Sequence, residues 1–165
     1  MRKIILSVSI LLSFTFLLKA QESSATKVFE YRPAPGQFIN LLPAYANGDN
    51  EQTICNKCLE AFKTTQLVSL GGFGGYIVVG FDHSIINVPG EYDFKIDANA
   101  MDGPYGISSE PGIVLVSVDS NRNGLPDDEW YELKGSEYNN PQSIKNYTVT
   151  YTKPCLLYTS DAADE

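Results

Sequence analysis

The sequence is poor in the residues on which most site chemistry is built: one histidine, one tryptophan, two methionines and three cysteines among 165 residues. The sole imidazole, His83, can be one ligand of a metal at most, which leaves no histidine-based zinc centre. Basic residues are scarce, 12 against 20 acidic, giving a formal net charge of −8. That balance argues against nucleic acid and anionic membranes as partners and is compatible with cations. Long apolar runs are also missing, the longest falling short of the roughly 18–20 residues that a membrane-spanning helix needs. No G-x-S-x-G elbow is present, so serine-hydrolase chemistry lacks its usual frame.

Both ends stand apart from the rest. In "MRKIILSVSILLSFTFLLKAQES", Arg2 and Lys3 precede an apolar stretch from Ile4 to Leu18, and Ala20 offers a small residue before Gln21. This predicts a signal peptide over residues 1–20 and an exported mature chain with no transmembrane anchor. No cysteine follows the cleavage point, so a bacterial lipid anchor is not indicated. The final "CLLYTSDAADE", residues 155–165, resembles the in-frame translation of a transposase-end sequencing adaptor. Set aside as non-native, it leaves a domain at 21–154 expected to be truncated at its C-terminus. Three basic residues go with the leader and three acidic ones with the tail, so the balance of the remainder stays at −8.

Cys155 leaves with the tail, and Cys55 and Cys58 remain as a C-x-x-C pair. A redox role wants a preceding strand in a βαβ context, and a zinc site wants a second pair. The reading adopted is structural: a local disulfide or two buried thiols. Both lie in a segment where Ile54, Cys55, Cys58, Leu59 and Phe62 recur at helical spacing, which predicts one helix at about 51–63. Asp49, with Gln52 three residues on, resembles a capping box at its start.

Around that helix the pattern belongs to strands. "KVFEY" begins one before Pro33, Pro35 and Gly36 force an extended bend. "QLVSL", "YIVVGF", "YDFKI", "GIVLVSV", "EWYELK" and "YTVTYT" are short, β-branched and aromatic, and separated by Gly, Pro and Asn. Strand following strand without helices between predicts a mainly β fold, an antiparallel β-sandwich or jelly roll with one short helix. "GGFGGY" (71–76) is followed by a strand and not a helix, so it reads as a turn needing positive φ or close backbone approach and not as a phosphate loop. His83, with Asp82 and some serine, could supply a triad only through a convergence that sequence does not show; a structural role at a strand end fits better. Glu110, Asp127, Asp128, Glu129 and Glu132 could furnish a glycosidase pair, but nothing singles out two of them.

One stretch carries a more specific signal. "DSNRNGLPDDEW" meets the calcium-loop template D-x-[DN]-x-[DN]-G with Asp119, Asn121, Asn123 and Gly124. The carbonyl of Leu125 and the carboxylate of Asp127 follow at the seventh and ninth positions, with Asp128 or Glu129 left to close the shell. Position twelve is Trp130, not the bidentate glutamate of an EF-hand, and the flanks are strands. The loop resembles the calcium loops of thrombospondin type 3 and dockerin-like repeats over about ten residues. The alternative is a hairpin loop turned by Asn123-Gly124 with solvated acids. The alternation favours a structural calcium site, with an affinity of about 10⁻⁴–10⁻³ M typical of extracellular modules.

"FEYRPAPGQFIN", "SLGGFGGYIVVGFDHSIINVPGEYDF", "EPGIVLVSVDSNRNGLPDDEWYELKGSEY" and "YTVTYTKP" together resemble the N-terminal half of a family of Bacteroidetes cell surface proteins, some with PKD-like domains. The resemblance implies export, display at the cell surface or in the periplasm, and a longer chain. Similar proteins encoded beside TonB-dependent receptors, some with corrinoid-uptake genes, imply nutrient capture as an accessory role. The expectation is a non-catalytic binder of a glycan or another surface ligand. Tyr105, Trp130, Tyr131 and Tyr138 are candidates for a sugar platform. The competing expectations are a TonB-dependent uptake partner and a glycoside hydrolase fragment.

Overall fold

The computed structural model describes residues 24–36, 39–64, 67–104 and 106–152, apart from the Met101 side chain. The leader and the tail both lie outside the described residues. Six strands pair antiparallel in three two-stranded sheets, accompanied by one helix. The strands are β1 (Lys27–Arg32), β2 (Tyr76–Gly80), β3 (Ala100–Gly103), β4 (Gly106–Ser109), β5 (Leu115–Ser117) and β6 (Trp130–Glu132), and the helix α1 is Glu51–Lys63. Among the described residues the three sheets share no strand and no barrel closes.

The core lies where α1 packs on the β1–β2 pair. Val28 and Tyr31 of β1 are buried against Cys55 and Cys58 of α1, with Ile54, Leu59, Phe62, Ile77 and Val79 around them. Tyr31 donates from its hydroxyl to the Ser69 carbonyl at 2.5 Å, which satisfies the polar end of a buried ring. The β1–β2 ladder slips between Val28 and Glu30, a bulge that inserts Phe29. The Phe29 ring lies over Gly80, where a Cβ would come within 2.5 Å of it.

α1 forms where its periodicity predicts, but its cap sits one residue later than Asp49-Gln52. Asn50 accepts from the Thr53 amide at 3.0 Å, and the Thr53 hydroxyl accepts from the Asn50 amide at 2.8 Å. Asp49 instead braces the approach to the helix, accepting from the Ala46 amide at 2.6 Å and from Lys57 at 2.5 Å. Thr53 can close the box because its hydroxyl is short and fixed, whereas Gln52 reaches along the helix to Asn56 at 3.0 Å.

The glycine cluster behaves as a turn. Gly71 has φ +81°, and a Cβ there would stand 1.8 Å from the Ala34 carbonyl oxygen. Ala34 donates to Leu70 at 2.9 Å and Gly72 to Pro35 at 3.2 Å, so the bend after β1 is clasped by backbone that no side chain could share.

Three expected strands do not form. Residues 67–70 run alongside Leu41 and Ala34 by isolated backbone bonds, and 92–96 and 147–152 form no backbone ladder among the described residues, the latter touching the glycine turn through Tyr147 and Tyr151 at Phe73. Alternation predicts which face a strand would bury, but it needs a neighbouring strand to take up its amides and carbonyls. Tyr147, Val149 and Tyr151 are all exposed. The β3–β4 pair, rich in small residues, carried no such pattern and was not expected.

Candidate functional site

The 119–128 loop spans the gap between β5 and β6, whose register places Ser117 opposite Trp130. The hairpin thereby fixes both ends of a long polar loop. The Asp119 carboxylate accepts two backbone amides, Asn123 at 3.0 Å and Gly124 at 2.9 Å. Asn121 and Asn123 each accept a second-next amide through the side-chain oxygen: Asn123 N–H at 2.9 Å and Leu125 N–H at 2.7 Å. These Asx turns wind the chain about Asp119. Arg122 and Gly124 adopt φ of 60° and 74°, and for a non-glycine residue that costs on the order of 1 kcal/mol, offset here by the turns on either side.

The second half of the loop folds back onto the first. Asp127 accepts from the Asn121 amide group at 3.0 Å and from the Asn123 amide group at 2.8 Å, one on each oxygen. Those two donors, Asn123 foremost, hold the Asp127 carboxyl below the usual carboxylate range. Asp119, Asn121, Asn123 and Asp127 are therefore brought together by direct side-chain and backbone bonds. Leu125 joins them through its amide. Asp128 sits at the neck, where it accepts the Ser120 amide at 3.3 Å. Glu129, the alternative shell-closing residue, is held by the Tyr131 hydroxyl at 2.6 Å.

The donors are all hard oxygens, which fits calcium and does not fit soft transition metals. Among the described residues no three His, Cys, Asp or Glu side chains gather into a metal-binding group, so the loop's capacity rests on mixing carboxylates with amide and carbonyl oxygens. One rearrangement follows from the geometry. The side-chain N–H groups of Asn121 and Asn123 occupy both oxygens of Asp127, so a cation entering between them requires both side chains to turn their oxygens inward.

The remaining candidates are dispersed. His83 meets Asp82 at 2.6 Å and tilts its ring against Phe81. Cys55 and Cys58 are buried free thiols. Burial above all, reinforced by Cys55, pushes the Cys58 thiol up to about 11, and burial raises Cys55 as well; both are inert thiols of the core. Of the candidate sugar platform, Tyr105 lies outside the described residues, and Trp130 and Tyr131 are exposed on β6. Tyr138 is flanked by Lys145 at 3.9 Å and Lys134 at 5.3 Å from its ring centre.

Sequence reasoning missed a cleft of about 460 Å³ beside α1, lined by β1, residues 42–45 and the start of the helix. Its polar feature is an ion triad in which Arg32 donates to Glu30 at 2.9 Å and to Glu51 at 2.8 Å. The only sequence signal was an Arg on a strand followed by an acidic helix start, and nothing in it foretold their meeting. No family model matches the chain, and no curated protein matches it.

Proposed function

We propose that the chain is an exported, non-catalytic binding protein of the Bacteroidetes cell-surface type it resembles, with the 119–128 loop a structural calcium site and a glycan or similar surface ligand as its target. In this reading the β1–β2 pair and the β3–β4 and β5–β6 hairpins are parts of a β-sandwich. The observation that supports the proposal is the convergence of Asp119, Asn121, Asn123 and Asp127 in one loop wound by Asx turns. Calcium there would stiffen the β5–β6 hairpin and take no part in bond-making. Leu125, through its carbonyl, and Asp128 would complete the shell.

Melting the chain with calcium and with chelator tests this reading. A ligand that binds only the folded state, at ten times its dissociation constant, stabilises by about 1.4 kcal/mol. The expected result is a rise in melting temperature that saturates in the millimolar range with calcium and is smaller with magnesium, which demands octahedral geometry. Identical melting in calcium and chelator would refute the site.

A further inference from the structure

We propose that the cleft between β1, residues 42–45 and the start of α1 is a saccharide-binding site, with Tyr45 as the stacking surface and the Glu30–Arg32–Glu51 triad as the hydroxyl-recognising end. This rests on the reading of the chain as a glycan binder and gives that reading a location.

Three observations support it. The cleft, at about 460 Å³, is the size of a small-molecule site, and such sites combine apolar walls with a few convergent polar groups. Here Phe29 and Leu42 supply wall, while Tyr45 is 73% exposed, far beyond what a packing role in the core would require. An aromatic ring presented in this way covers the apolar C–H face of a pyranose at low conformational cost.

The polar end is formed by two surface ion pairs that share Arg32. Arg32 is braced from both sides, which raises its affinity for its proton, with the Glu51 bond foremost, while the same contact holds Glu51 below the ordinary glutamate range. A planar guanidinium between two carboxylates offers donors and acceptors in fixed directions, the arrangement that vicinal hydroxyls can meet with a donor and an acceptor each.

Charge then selects the class of sugar. Glu30, Asp49 and Glu51 line the cleft with Arg32, and Lys57 pairs with Asp49 from behind, so the excess is one negative charge, which disfavours uronates and phosphates. The ligand is a neutral saccharide.

The test is calorimetric titration of the full chain with neutral hexaoses (malto-, xylo-, cello- and manno-), with oligogalacturonate as the anionic probe and choline as the cationic one. Tyr45→Ala, Tyr45→Phe and Glu51→Gln are compared with wild type, and circular dichroism checks that each is folded; Tyr45 lies outside the buried cluster, so its loss spares the core. At least one neutral hexaose is expected to bind. Tyr45→Ala should weaken it about tenfold, the size of one lost stacking contact, while Tyr45→Phe retains it. Glu51→Gln should weaken it severalfold. Wild-type affinity in Tyr45→Ala would overturn the site and leave the glycan reading standing. Binding of choline or oligogalacturonate alone, or of no probe, would overturn both.

Discussion

Replacing Tyr31 by Phe removes one oxygen atom and tests how the core is joined to the loops around it. The Tyr31 hydroxyl donates to the Ser69 carbonyl at 2.5 Å. Ser69 in turn donates its amide to the Leu41 carbonyl at 3.1 Å and accepts the Leu41 amide on its hydroxyl at 3.2 Å. One phenol therefore ties β1 to residues 67–70, and through them to the segment that walls the cleft. The ring itself stays in Tyr31→Phe, so no cavity opens, and the loss is that of one hydrogen bond with its acceptor left part-buried: about 1–2 kcal/mol. Tyr31→Ala adds the cavity and should cost about 3–5 kcal/mol, a large part of the 5–15 kcal/mol typical of a domain. Urea unfolding followed by the helical circular dichroism signal measures both, with an unchanged slope in Tyr31→Phe. If Tyr31→Phe is as stable as wild type, Ser69 is not anchored by the phenol and the strap from core to cleft is not real.

Burial, with a smaller contribution from Cys58, raises the Tyr31 phenol to about 12, and burial raises the Cys58 thiol to about 11. Both native values lie above the unfolded ones, so the folded state holds these protons more tightly; their stabilisation is complete below about pH 9 and is lost as pH climbs from 9 towards 12, which urea midpoints across that range will show. Cys58→Ser puts a hydroxyl in an apolar site and should cost about 1–3 kcal/mol, more than Cys58→Ala if polarity and not volume decides, with the ranking of the two midpoints as the check. Gly71→Ala meets both the positive φ and the Ala34 carbonyl and should destabilise by more than 1 kcal/mol, whereas a melting temperature equal to wild type would show that the clasp around Ala34 yields.

The sequence made α1 legible because its apolar residues recur every three or four positions and both cysteines fall on that face. β1, β2, β5 and β6 were legible for the same local reason, being short β-branched runs bounded by turn residues. The segments at 67–70, 92–96 and 147–152 carried the same signal without becoming strands, since a ladder is decided by a partner elsewhere in the chain. The 119–128 loop could be read because its chemistry is contiguous and each donor lies two residues from the next. The Arg32–Glu51 pair and the Tyr31–Ser69 bond join residues 19 and 38 positions apart, and no periodicity announces such meetings. Asn50 in place of Asp49 shows the limit of motif reading at helix starts: either residue can cap, and the local turn chooses.

Trp130 opens β6 at the end of the candidate loop and is the sole tryptophan, so its emission reports on the loop with no other source. The most direct measurement is a calcium titration of the metal-stripped full chain followed by that emission, with Asp119→Ala alongside. The account predicts a saturable change in the wild type, with a midpoint at about 10⁻⁴–10⁻³ M, that vanishes when the carboxylate holding the Asn123 and Gly124 amides is removed. A flat titration from folded wild-type protein, or the same curve in Asp119→Ala, would contradict it and leave the loop a hairpin stitched by its own amides.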